Sequence, residues 1–224
     1  MSKKVYIAIF LLAILIVATA AIIYATQILT PSVKAAVPGV NVGDTFTYSL
    51  KGASKLIGPD AVTPDYFYQF NETDYYKVTI TAVNGSVVSF DTVWRFTNGT
   101  EIQKAQKVDV STGFDSQEFW AIYASNLNKN DLLRPNGNDG LIVNSTDSRA
   151  YANSNRETNY WSIENQFFNI NDPTYSTQRY DYLNVFFDKQ TGILVNLNNV
   201  QQYNNPQMNT IITWKLTNST AWDV

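Results

Sequence analysis

The chain has 224 residues and a net charge of −3, and it contains neither cysteine nor histidine. These two absences exclude a disulfide framework, a thiolate nucleophile, a Ser-His-Asp triad and the common transition-metal sites. The mildly acidic net charge does not indicate the basic surface that nucleic-acid binding requires. Carboxylate chemistry, an oxygen-ligand metal such as calcium, or a role without chemistry is what remains.

The N-terminus is basic and is followed by a long apolar segment. Lys3 and Lys4 open the chain, and no charged residue occurs from Val5 to Leu29. As a helix this segment would reach about 37 Å, enough to cross a hydrocarbon core of about 30 Å. The sequence therefore predicts a transmembrane segment over residues 1–29, with the lysines inside and the rest of the chain outside the cell.

A cleaved secretory signal is the alternative interpretation of the same segment. Ala18-Thr19-Ala20 has the small residues of a cleavage site. The apolar stretch nevertheless continues to Leu29, which favours a retained anchor, and both interpretations stay open at this point. Residues 30–42, with Pro31 and Pro38, are expected to form a linker, and residues 43–224 an extracytoplasmic β-rich domain.

The first part of this domain alternates apolar and polar residues with a period of two, which is typical of half-buried strands. Strands are predicted over residues 45–51, 76–83, 88–96 and 101–110. Asn84-Gly85 and Asn98-Gly99 lie between them and favour tight hairpin turns. The last three strands should form an antiparallel meander.

The next region has a different pattern. Phe119, Ile122, Tyr123 and Leu127 recur at helical spacing, which predicts a short helix over residues 116–127. After it we expect loops at 128–140 and 166–177, and short strands at 141–143 and 158–163.

The last third is again β-like, with strands predicted over residues 180–188, 193–200 and 208–217. The first of these is apolar on both faces and is expected to be a central, doubly covered strand. The predicted fold class is mainly β (a β-rich α+β domain). It is a curved or sandwiched antiparallel sheet with a short helix inserted after the first meander, plus one N-terminal transmembrane helix.

Several short motifs occur in a recognisable order. They are Val42-Gly43-Asp44-Thr45-Phe46, the turn at Asn98, Ala124-Ser125-Asn126-Leu127, Arg156-Glu157-Thr158-Asn159 and Phe187-Asp188-Lys189-Gln190-Thr191-Gly192. The chain thereby resembles a group of archaeal secreted or membrane-anchored proteins of unknown function. Asn130-Asp131 departs from that group, which often has Gly-Asp there. The resemblance implies an extracellular β domain and transfers no catalytic residue.

Candidate sites are few. Five asparagines lie in glycosylation sequons: Asn71, Asn84, Asn98, Asn144 and Asn218. Glycan attachment requires export, which the N-terminus predicts, although Asn84 and Asn98 also suit plain turns. Glu118, Glu157 and Glu164 are the carboxylates that a glycoside hydrolase would need to bring together, and solvated surface positions are their ordinary alternative.

No cofactor is expected. Calcium would be the metal if one were bound, since residues 136–140 and 169–172 are rich in Asn and Asp, but both segments also read as turns. Aromatic residues crowd one stretch, at Tyr66, Phe67, Tyr68, Phe70, Tyr75 and Tyr76. They could pack in the core, stack on sugars or line an apolar crevice for a lipid.

The sequence therefore favours a non-catalytic envelope protein at the cell surface that binds a glycan or a partner protein, or is structural. A carrier of lipid or another hydrophobic ligand, with the sheet wrapped around a helix at 119–127, is the first alternative. A carboxylate-dependent polysaccharide hydrolase is the second.

Overall fold

The protein is described by a computed structural model covering residues 35–116, 118–168 and 178–222, together with Thr19. The predicted transmembrane segment lies outside these residues except for Thr19. Among the described residues, none belongs to a helix with the length and apolar character needed to cross a membrane.

The described residues form one antiparallel sheet of nine strands, which confirms the mainly β prediction. The elements in chain order are β1 (Thr45–Leu56), α1 (Phe67–Asn71), β2 (Thr73–Asn84), β3 (Val87–Phe96), β4 (Glu101–Asp109), β5 (Ser145–Tyr151), β6 (Ser154–Phe168), β7 (Gln178–Asp188), β8 (Leu194–Asn204) and β9 (Gln207–Ser219). Their order across the sheet is β4-β3-β2-β1-β9-β8-β7-β6-β5.

The predicted meander is confirmed as β2, β3 and β4. Its first turn is placed one residue later than expected. Asn84 is the last residue of β2 and pairs with Val87, so Gly85 and Ser86 are the central turn residues. Of the two, only Gly85 has a positive φ, of 59°. A glycine at the first central position is the pattern of a type II′ turn.

The sheet is strongly curved. The Trp222 ring lies 6.2 Å from the Phe46 ring on β1 and 5.9 Å from the Tyr151 ring on β5. Five strand spacings separate β1 from β5, which is about 24 Å on a flat sheet. One side chain can contact both strands only because the sheet is far from flat.

The predicted helix over residues 116–127 is wrong. Residues 116 and 118–127 contain no helix, and the short helix of the described chain, α1, precedes the meander. Ala121, Ile122, Tyr123 and Ala124 are all buried in succession, at 0–3% exposure. A surface helix buries one stripe and exposes the rest. These four residues instead belong to an irregular chain on the concave face of the sheet, and we call residues 118–143 the inner segment.

The inner segment bonds to the hairpin between β7 and β8. The Tyr123 amide donates to the Gly192 carbonyl at 2.9 Å, and the Leu194 amide donates to the Ala121 carbonyl at 3.1 Å. This contact requires a glycine. Gly192 has a φ of +74°, and a Cβ there would lie 2.0 Å from the Tyr123 carbonyl oxygen.

The same hairpin is built around a buried carboxylate. Asp188 accepts hydrogen bonds from the Tyr151 hydroxyl at 2.6 Å, from Arg156 Nε at 2.6 Å and from the Thr191 amide at 2.7 Å. Burial alone would raise the pKa of Asp188, but these bonds outweigh it and lower the pKa. The motif that ends in Thr191-Gly192 is therefore a turn whose aspartate ties β5, β6 and β7 together.

The backbone of the inner segment depends on one buried cation. Arg134 is 5% exposed. Its guanidinium donates to the carbonyls of Ile122 at 2.6 Å, Trp120 at 2.9 Å and Val110 at 3.4 Å. It also lies 4.5 Å from the centre of the Tyr123 ring. Burial lowers the pKa of Arg134, yet a guanidinium stays charged in proteins. One side chain thus satisfies carbonyls that no helix or strand pairs.

Four smaller expectations need correction. β6 is longer than predicted and continues to Phe168, and residues 141–143 form only an isolated bridge at Ile142. β5 was not expected at all. β7 is neither central nor doubly covered, since its first seven residues are half-buried.

The described part of the predicted linker packs against the domain. Pro38 forms a bridge with Ala124, the Ser125 amide donates to the Val37 carbonyl, and Val40 is 4% exposed.

Substituting Gly192 tests the close approach of the inner segment. Gly192→Ala should lower the free energy of unfolding by more than about 3 kcal/mol, because it adds a steric clash to the cost of a positive φ. Gly85→Ala is the matched control, since Gly85 has a φ of +59° and open space around it. It should cost only about 1–2 kcal/mol. Chemical denaturation measures both values, and equal losses would contradict the tight contact.

Replacing Arg134 tests whether its bonds hold the inner segment. Arg134→Met keeps the apolar stem and removes the guanidinium bonds to three carbonyls, of which only that of Trp120 keeps another donor, the Ile122 amide, so we expect a loss of at least about 3 kcal/mol in unfolding free energy. Arg134→Lys keeps the charge but lacks the planar fork, so it should also destabilise. Denaturation curves followed by tryptophan fluorescence measure both variants. Full stability of the Met variant would show that the carbonyls need no such donor.

Candidate functional site

An open cleft lies on the same face of the sheet as the core. The inner segment covers this face as far as Phe119, which contacts Tyr48, Tyr76 and Phe90. Beyond Phe119 the face is uncovered and borders a cavity of about 370 Å³. We call it the aromatic cleft, and it is lined by Gln69, Phe70, Tyr76, Thr92, Trp94, Ile102, Lys104, Glu118 and Trp214. Its volume falls in the usual range of small-ligand sites.

Aromatic rings from three separate parts of the chain form the floor of the cleft. Tyr76 on β2 lies 4.9 Å from Trp214 on β9 and 6.0 Å from Trp94 on β3. Phe70 of α1 adds a wall, with its ring 6.1 Å from Trp94. The indole nitrogen of Trp94 donates to the Thr73 hydroxyl at 2.7 Å. The ring is therefore fixed in orientation before any ligand arrives.

The helix α1 is positioned by β1. Phe67 is 1% exposed and sits over Gly52, where an added Cβ would meet the Phe67 ring at 2.5 Å. The Gly52 amide also donates to Asn71 Oδ1 at 3.0 Å. These two contacts place Phe70 at the cleft. The aromatic stretch noted in the sequence therefore divides between the core, where Phe67 packs, and the cleft, where Phe70 and Tyr76 lie.

Hydrogen-bonding groups from β4 and the start of the inner segment form part of the rim of the cleft. Glu118 pairs with Lys104, and its other carboxylate oxygen accepts from Gln106 Nε2 at 3.1 Å. Gln106 is buried, and it also donates to Thr92 Oγ1 at 2.8 Å and accepts from the Phe119 amide at 2.9 Å. The buried amide thus fixes the Glu118 carboxylate at the edge of the cleft. Burial raises the pKa of Tyr76, and the charge of Glu118 adds to that effect, so the Tyr76 hydroxyl stays a neutral donor.

The other two candidate carboxylates lie elsewhere. Glu157 and Glu164 are both on β6, where Glu157 pairs with Lys189 at 3.1 Å and Glu164 faces Tyr182 on β7. Seven residues of strand place them about 23 Å apart and on opposite faces. The two residues therefore do not form a carboxyl pair at the spacing that glycoside hydrolysis requires. Only Glu118 borders the aromatic cleft.

The first calcium candidate forms turns. The Asn136 amide donates to the Ser111 carbonyl, the Gly137 amide donates to the Arg134 carbonyl, and Asp139 accepts from the Leu141 amide at 3.0 Å. The second candidate, residues 169–172, lies outside the described residues. Within the described ranges, no three acidic side chains cluster as metal ligands would.

All five sequon asparagines are exposed. In four of them the side-chain carbonyl oxygen accepts a backbone hydrogen bond, which orients the amide: Asn71, Asn98, Asn144 and Asn218. Asn84 lies at the β2–β3 hairpin. Glycans are attached through the amide nitrogen, so these bonds leave the acceptor geometry intact.

A second, smaller cavity of about 210 Å³ lies over Arg134, between Trp120 and Trp161, with Asp115 and Asp139 at its border. Its cation already donates to three backbone carbonyls. The primary role of Arg134 is therefore to hold the inner segment in place.

No protein-family model matches this chain, and no curated protein sequence matches it.

Of the residues at this site, the sequence pointed to Phe70, Tyr76 and Glu118 and missed the others, among them Lys104, Gln106, Trp94 and Trp214. Trp94 and Trp214 were recognised as apolar strand positions, but their proximity depends on the pairing of β1 with both β2 and β9. A tryptophan at an apolar position in each of two distant strands was the available signal.

Mass spectrometry of the protein from its native source tests the sequons. We expect glycan on the peptides that contain Asn84 or Asn98, since both lie at exposed hairpin turns. The intact protein should then be heavier than the 25.2 kDa of the polypeptide. Asn153 is the internal control, because it is exposed at a turn but lacks the sequon. Unmodified peptides at all five positions would contradict this expectation.

Proposed function

We propose that this chain is a non-catalytic protein of the cell surface whose β domain binds a neutral glycan in the aromatic cleft. Support for the location comes from the sequence, where a basic start and an apolar segment to Leu29 favour an anchor with the domain outside the cell. The resemblance to archaeal envelope proteins agrees with it.

One observation carries the binding proposal. The cleft combines fixed aromatic rings with a rim of hydrogen-bonding groups, namely Glu118, Lys104 and the Gln69 amide. A sugar ring presents apolar C–H faces and a belt of hydroxyls. The indole rings of Trp94 and Trp214 suit its faces, while the rim offers both donors and acceptors for its hydroxyls.

A non-catalytic role fits the single carboxylate at the cleft. Glycosidases use two carboxyls about 5–9.5 Å apart, whereas Glu118 is paired with Lys104 and held by Gln106. Glu118 is therefore placed to accept hydrogen bonds from the hydroxyls of a sugar. The hydrolase alternative would need a second carboxyl to approach this cleft.

A hydrophobic-ligand carrier is the second candidate, and the same cleft favours it through its composition. Phe70, Ile102, Trp94 and Trp214 make most of its wall apolar. A lipid chain would use these side chains and would not need Glu118. The two functions therefore differ in their dependence on the rim.

Glycan binding is tested with a matched pair of variants in the full-length chain, kept in a detergent without sugar groups. Phe70→Ala removes a ring that lines the cleft, and Tyr68→Ala removes a ring that is 58% exposed on the same helix but outside the cleft. Binding to neutral oligosaccharides, screened on a glycan array and measured by calorimetry, should weaken about tenfold in the first variant and stay unchanged in the second.

A third variant and two further measurements, of bound lipid and of released reducing ends, separate the alternatives. Glu118→Gln should weaken glycan binding. A lipid that is extracted from the native protein, and whose binding is unchanged in Glu118→Gln, would favour the carrier. Release of reducing sugar ends that disappears in Glu118→Gln would favour the hydrolase. Absence of any neutral glycan among the ligands would contradict the proposal.

A further inference from the structure

A stripe of positive charge crosses the centre of the sheet. The three neighbouring strands β8, β9 and β1 contain Lys51, Lys55 and Lys215 and no aspartate or glutamate. The whole chain has 19 acidic and 16 basic residues, so its excess of negative charge lies on other parts of the molecule.

This stripe lies on the side of the sheet opposite to the aromatic cleft. Ser49 faces Lys215 and Lys51 faces Thr213 across the β1–β9 pair, whereas Leu50 faces Trp214. Residues directly opposite one another share a face, and successive residues alternate. Lys51 and Lys215 therefore point away from Trp214 and the core.

A groove borders the stripe on this outer face. It encloses about 530 Å³ and is lined by Arg149, Ala150, Tyr151, Phe186, Val195, Asn196, Asn198 and Lys215. None of these lining residues is a carboxylate. Within the described part of the chain, neither Arg149 nor Lys215 forms an ion pair. Two cations thus flank one groove without a counter-charge from its walls.

Arg149 is held in place by an aromatic ring. Its guanidinium carbon lies 3.9 Å from the centre of the Phe186 ring, and Phe186 is itself stacked with Tyr160 at 4.7 Å. A guanidinium on an aromatic face keeps its N–H edges available. The stacking reduces the conformational entropy that the Arg149 side chain would lose on binding a planar anion such as a carboxylate.

Side-chain amides next to the cations add neutral hydrogen-bonding groups. Asn198 Nδ2 donates to Asn196 Oδ1 at 2.8 Å, and Asn198 Oδ1 accepts from the Thr213 hydroxyl at 3.1 Å. Each amide has two N–H donors, so these bonds orient both groups and leave donors for a ligand. Such groups match hydroxyls rather than a bare ion or a lipid surface.

We infer that this groove binds an acidic saccharide. The carboxylate or sulfate of the sugar lies between Arg149 and Lys215, and its hydroxyls bond to Asn196 and Asn198. This site is separate from the aromatic cleft and does not depend on the function proposed for it. A protein with both sites would hold neutral and acidic sugars on opposite faces of one sheet.

Calorimetry on the full-length chain in sugar-free detergent tests the groove at low ionic strength. The probes are trigalacturonate for the carboxylate and a sulfated disaccharide for the sulfate, with maltotriose as the neutral comparison. Arg149→Gln and Lys215→Gln should each weaken binding of the acidic probe about tenfold. Lys55→Gln is the matched control, because Lys55 is exposed on the same face but does not line the groove.

Binding of either acidic probe that depends on Arg149 and Lys215, is unchanged in Lys55→Gln and weakens with added salt supports the inference. An equal loss in Lys55→Gln would overturn it, since general charge attraction would then account for binding. Binding of inorganic phosphate as tight as that of the acidic sugars, or binding to vesicles of anionic lipid in the absence of sugar binding, would also overturn it. So would no binding of either probe. Phe70→Ala should leave acidic-sugar affinity unchanged, which keeps this test separate from that of the cleft.

Discussion

The hydrogen bonds of Arg134, which is buried within the inner segment, are the interaction on which the domain depends. A curved sheet needs its concave face filled, and the chain fills it with residues 118–143 rather than with a helix. Irregular buried backbone has polar groups that neither a helix nor a sheet pairs, and each unpaired group is costly. Arg134 supplies donors to three of these carbonyls, and Gly192 allows the hairpin backbone to approach closely enough to bond to Tyr123. The wall of the aromatic cleft begins where this anchored segment ends.

The local pattern of the sequence predicted most of the sheet. β2, β3, β4, β8 and β9 follow clear alternation, and their turns carry glycine where the backbone needs it. The pattern failed where burial was not one-sided. The spacing of Phe119, Ile122, Tyr123 and Leu127 matched a helix, but Ala121 and Ala124 between them are also buried. The conformation of residues 119–127 depends on their contacts with Arg134 and Gly192. These contacts cannot be inferred from the sequence of residues 119–127 alone.

The residues of the candidate site likewise fall into those that the local sequence predicted and those that it did not. Phe70, Tyr76 and Glu118 were identified from composition and local context, because an aromatic cluster and a lone glutamate are visible in any window of sequence. Trp94 and Trp214 come together only through the pairing of β1 with β2 and β9. Gln106 was overlooked because a polar residue on a strand normally faces solvent, whereas this one is buried and positions both Glu118 and Phe119. Position within the sheet, rather than residue type, makes these side chains part of a site.

The position of β9 has a consequence for how the domain is made. The last of the described strands is the middle strand of the sheet, and the backbone and side chain of Thr220 bond to Thr45, 175 residues away. As the chain is synthesised, β1 to β4 and β5 to β8 can each pair locally, but the edges of β1 and β8 stay open until β9 arrives. Contacts so distant in sequence slow folding, and open edges invite wrong pairing. The two groups of strands therefore stay unjoined until β9 is made, and only β9 turns them into one sheet.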